Sequence, residues 1–111
     1  MCSVTASAAA EDDVQSQALW RSVRAKVLAR RGDRIPALDL AEAAVVQLRA
    51  TDAVVWQADA SVDLAETRLL LGDAAGAEAA ISDAVALYRR KGSEVAAERA
   101  RAVASLAVEG L

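Results

Sequence analysis

Three carboxylates recur at helical spacing in the middle of this chain: Asp59, Asp63 and Glu66. On a helix that spacing sets them along one face, where paired acids can exchange protons or hold a hard cation. Little else supports either chemistry. The 111 residues include no histidine, which removes Ser-His-Asp and Cys-His arrangements, and the single cysteine, Cys2, stands alone near the N-terminus. No ligand-bearing loop accompanies the acids, so the plainer expectation is the charged face of an exposed helix. The reading is no catalytic residue, no cofactor and no metal.

Cations gather earlier, at Arg21, Arg24, Lys26, Arg30 and Arg31. They can form a docking strip for an acidic peptide or nucleic acid, or pair with the acids further along. A formal charge of −3 and a pI near 4.9 speak against nucleic acid and anionic membranes as partners. Pairing is the expectation: if equivalent helices of a repeat lie side by side, Arg24 comes beside Asp63 and Glu66. Trp20 and Trp56 either wedge between helices or line a groove, and packing is the expectation for both. The candidate partner-binding residues are Arg21, Arg24, Trp56, Asp59 and Asp63.

The tripeptide Arg31-Gly32-Asp33 has the form of an adhesion ligand, but the chain contains Gly-Asp twice. At Leu71-Gly72-Asp73 the arginine is gone while Gly-Asp remains. That is the pattern of punctuation, a glycine ending one helix and an aspartate capping the next. It reads as a turn. Neither copy is a phosphate loop, since the glycine run and the Lys-Ser/Thr ending are absent.

The elements that must position these residues are all helical. Residues 1–12 read as a disordered tail, with Glu11, Asp12 and Asp13 capping a first helix that starts near Val14 and ends at Arg31. Its apolar stripe is read as Ala18, Leu19 or Val23, Val27 and Leu28. Asp33 and Pro36 open a second helix, with Ala37, Leu40, Ala41, Ala44, Val45 and Leu48 inward. Thr51-Asp52 breaks the chain before a third helix, carrying Trp56, Ala60, Leu64, Ala65 and Leu71. Asp73 caps a fourth, with Ala77, Ala80, Ile81, Ala84, Val85 and Tyr88 inward. After Gly92 a fifth runs from Glu94 to about Glu109, its Val95, Val103 and Leu106 covering the preceding pair.

The two Gly-Asp sites are offset by 72 − 32 = 40 residues. The same offset carries Ala25 onto Ala65, Ala37 onto Ala77, Ala41 onto Ile81, Ala44 onto Ala84 and Val45 onto Val85. Small residues recurring around a turn are what two antiparallel helices need in order to pack closely. With 55% hydrophobic but only 3% aromatic residues, the chain has the composition for such contacts. The predicted fold is all-α: an antiparallel helix-hairpin array with repeat 1 over 13–50, repeat 2 over 52–91 and a capping helix over 93–109.

The pattern A-x6-G-D-x3-A-x3-(apolar)-x2-A, over about Gln17 to Gly92, resembles the tetratricopeptide repeat. Arg21 and Ser61 stand where that repeat carries a bulky aromatic, and the period of 40 exceeds its usual length. The stretches "RAKVLARRGDRIPALDLAEAAVVQL" and "ALYRRKGSEVAAERARA" look like the degenerate repeats that follow ATPase or nucleotide-cyclase modules in large bacterial signalling regulators. The resemblance implies a non-catalytic scaffold binding a peptide or helix on the face of the first, third and fifth helices. It implies, in the alternative, a regulatory segment of a larger signalling ATPase, cyclase or transcriptional regulator. A self-associating helical dimer is a further alternative. With no basic leader and no apolar run of membrane-spanning length, the expected location is cytoplasmic.

Overall fold

The computed structural model describes the backbone of residues 3–109 and the side chains of 13–105. Five helices fill it: α1 (Ser3–Arg30), α2 (Arg34–Arg49), α3 (Val54–Leu70), α4 (Ala74–Arg90) and α5 (Glu94–Glu109). No strand occurs among the described residues. The expectation of a disordered tail over 1–12 falls largely outside the described side chains. Helix α1 nevertheless begins at Ser3, well before Val14, so Glu11 to Asp13 lie within the helix rather than capping it. The run Ala8-Ala9-Ala10, made of the best helix former, favours that continuation.

Three of the four connections are one turn repeated. Gly32, Gly72 and Gly92 take φ of +84°, +81° and +74°. In each turn the glycine N–H and the N–H that follows it bond back to carbonyls three and five residues earlier. That left-handed close is open to glycine at little cost and strains other residues. The fourth connection closes differently. Thr51 Oγ1 donates to the Leu48 carbonyl at 2.6 Å and accepts from the Ala53 N–H at 3.2 Å.

One cap differs from expectation. Asp73 accepts the Gly76 N–H at 2.9 Å, whereas Asp33 makes no side-chain cap bond. The position matching Gly76 is Pro36, which has no N–H to offer.

Consecutive helices pack as pairs. α1 also touches α3, and α3 also touches α5. The result is a slab measuring 53 × 34 × 15 Å. Its core is largely alanine: Ala25, Ala37, Ala44, Ala65, Ala77 and Ala84 are all buried, and among fully buried side chains the largest are Ile81 and Thr67. The inward residues expected of α4 are all buried, as are those of α2 except the partly covered Leu40.

Helix α1 keeps the expected Ala18 and Ala25 inside but turns its expected aliphatics out. It buries Ala18, Ser22, Ala25 and Ala29, while Leu19, Val23 and Val27 face outward. The buried positions fall at i, i+4, i+7 and i+11, and their small side chains let α2 and α3 approach where branched ones would hold them off. On α5 the same correction applies. Ala97 and Ala100 are buried and Val95 is exposed, with Val103 packed at the core margin. Leu106 lies outside the described side chains.

Candidate functional site

The acids of α3 meet α1 and α4. Lys26 Nζ on α1 lies 2.8 Å from Asp63 Oδ1 and 2.6 Å from Glu66 Oε1. The Tyr88 hydroxyl on α4 donates to Asp59 Oδ1. All three carboxylates that suggested acid-base or cation chemistry therefore hold helices together. Among the described residues, no group of three or more carboxylate or thiol side chains is arranged to hold a metal ion.

Charge in this cluster is unbalanced, one cation against three acids, and the ionisation behaviour follows. Burial works against the Lys26 ammonium, but the hydrogen bonds and charges of Asp63 and Glu66 outweigh it and hold its pKa above the ordinary lysine value. Burial pushes the Asp63 carboxyl up, the charges of Glu66 and Asp59 add to it, and Lys26 only partly offsets them. Burial, then the bond to Asp59, pushes the Tyr88 phenol well above its usual value.

The cross-helix pairing foreseen between basic and acidic helices forms, but through Lys26. Arg24 is exposed and does not take that place. Arg21 turns to α2, where its Nη1 donates to Gln47 Oε1 at 2.6 Å. These outcomes share the cause found for the apolar stripe. Arg24 and Lys26 are two residues apart, which on a helix is more than half a turn, so rotating α1 onto its alanine face exchanges them. Other pairs bridge helices: Arg68 with Glu42 at 3.3 Å, Arg49 with Asp83 at 3.7 Å and Arg101 with Glu78 at 3.4 Å.

Trp56 packs against the core margin as expected. With Asp59, Ala60 and Asp63 it lines a small cleft between α1 and α3, closed on the other side by Ala18, Leu19 and Ser22. Trp20 does not pack. It is 59% exposed, next to Leu19 at 53%, Val23 at 61% and Val27 at 42%. Positions 19, 20, 23 and 27 share one face of α1. Sequence reasoning placed these aliphatics in the core because hydropathy ranks Leu and Val above Ala. The signal that could have found the surface was the small-residue stripe running behind it.

No described helix is long and apolar enough to cross a membrane. No family model, curated protein or solved structure matches the chain.

Proposed function

We propose that this chain is a non-catalytic interaction module built of tetratricopeptide-like helix pairs, working through helix α1. The observation that carries this reading is the uncovered row Leu19, Trp20, Val23 and Val27. Elsewhere the large apolar residues left exposed are scattered singly, whereas here four lie together on one helix face, which is how contact surfaces are composed. The docking face is thus α1 itself, in place of a face shared by the first, third and fifth helices. Enzymatic chemistry has no comparable support, because Asp59, Asp63 and Glu66 are engaged with Tyr88 and Lys26.

Affinity capture from cells with the wild-type chain, Val23→Asp and Asp59→Asn tests the reading. Binding lost with Val23→Asp and kept with Asp59→Asn supports it. An identical bound set for all three sinks it.

A further inference from the structure

The 40-residue correspondence says what kind of object covers the α1 row. Trp20, Val23 and Val27 match Ala60, Asp63 and Thr67 on α3. Ala60 and Thr67 are buried, and Asp63 receives Lys26 from α1. The face that α3 offers to a preceding helix is therefore the face that α1 leaves bare. The opposite end of the slab is finished differently. Ala18 and Ala58 are buried, while their counterpart Glu98 on α5 is exposed.

That asymmetry decides between two ways of joining copies. Head-to-tail stacking would set Glu98 of one copy where Ala18 sits within the chain, burying a carboxylate at a methyl-sized position. Back-to-back pairing of two α1 helices buries no carboxylate in that way, and the charges at the two ends of its apolar row are complementary. Asp13 and Arg31, both exposed, are 31 − 13 = 18 residues apart. Eighteen residues make about five full turns, so the two charges flank the apolar row on the same side of the helix. When a second α1 runs antiparallel, crossing between Trp20 and Val23, each Asp13 comes opposite the other copy's Arg31. A two-fold axis produces that pair twice.

Resting on the interaction-module reading, we propose that the occupant of the α1 face is a second copy of this chain, forming a symmetric antiparallel α1–α1 dimer around Trp20 and Val23. A contact limited to one helix face is smaller than the roughly 800 Å² per partner of a standard interface. The dimer is accordingly concentration-dependent and weakened by salt.

Sedimentation velocity on the purified full chain, from low micromolar to near-millimolar concentration, tests it. The expected result is a monomer shifting to a dimer and no further. Val23→Asp abolishes the shift with helical circular dichroism unchanged. Asp13→Arg and Arg31→Asp each weaken association about tenfold, and the double variant regains most of it. A monomer throughout, open-ended polymers, or a dimer indifferent to Val23→Asp would overturn the proposal. A monomer that still captures another protein through Val23 overturns only the self-association and leaves the module reading standing.

Discussion

Lys26 Nζ on α1 donates to Asp63 Oδ1 on α3 at 2.8 Å, and the same ammonium reaches Glu66 at 2.6 Å. One side chain therefore ties two non-consecutive helices together. Both Lys26 and Asp63 keep less than a quarter of their side-chain surface in water, so this is not a solvated surface pair. Replacing Lys26 with Met leaves two adjacent acids facing an apolar chain. The expected cost is about 2 kcal/mol in urea unfolding, the scale of a charged hydrogen bond lost from a partly buried site. Arg24→Met, on the exposed side, should stay within about 0.5 kcal/mol.

The same cluster sets a pH dependence. The Asp63 carboxyl is raised from 3.8, so the folded chain holds that proton more tightly than the unfolded one. Between 3.8 and the folded-state value, stability from this group falls as pH rises. Lys26 is raised from 10.5, so its contribution is complete below that pH and disappears as pH climbs through its folded-state value. Urea midpoints measured against pH should lose the acid-side slope in Asp63→Asn and keep the alkaline loss at reduced size.

The two Gly-Asp turns are predicted to respond unequally. Asp73→Ala removes a cap bond and should cost about 1 kcal/mol, whereas Asp33→Ala has no such bond to lose. Gly76→Ala should cost no more than Asp73→Ala: the added Cβ would meet Asp73 Oδ2 at 2.1 Å and push that carboxylate off its cap bond, while alanine favours the helix over glycine. Thermal or urea unfolding of the three variants gives the ranking.

Enlarging the interior should be costlier than changing its surface. Ala25→Leu and Ala65→Leu each add bulk at a fully buried helix contact, and about 3 kcal/mol of destabilisation is expected from overpacking of this kind. Val95→Leu, at an exposed site, should be neutral. Chemical denaturation distinguishes the outcomes directly.

How far the sequence foretold the molecule depended on which signal each residue carried. The turns were legible because Gly32, Gly72 and Gly92 have no chemical substitute for a left-handed close. The faces of α2 and α4 were legible because Ala, Ile, Val and Leu there agree on one side. Helix α1 carries two apolar stripes, a small one at Ala18, Ala25 and Ala29 and a bulky one at Leu19, Val23 and Val27. Hydropathy favours the second and close packing the first. That single choice displaced the expected position of Trp20 and exchanged Arg24 for Lys26. The loss of the Asp33 cap was readable too, since Pro36 announces a missing donor, but only once its match to Gly76 is drawn.

A core whose members are mostly methyl groups takes less hydrocarbon out of contact with water per residue than one of leucine and phenylalanine. The heat capacity released on melting scales with that hydrocarbon, so it should fall below the ordinary ~12–15 cal/mol/K per residue. Scanning calorimetry would then trace a shallow stability curve: a protein of modest maximum strength whose hold on its shape changes little from cold to warm.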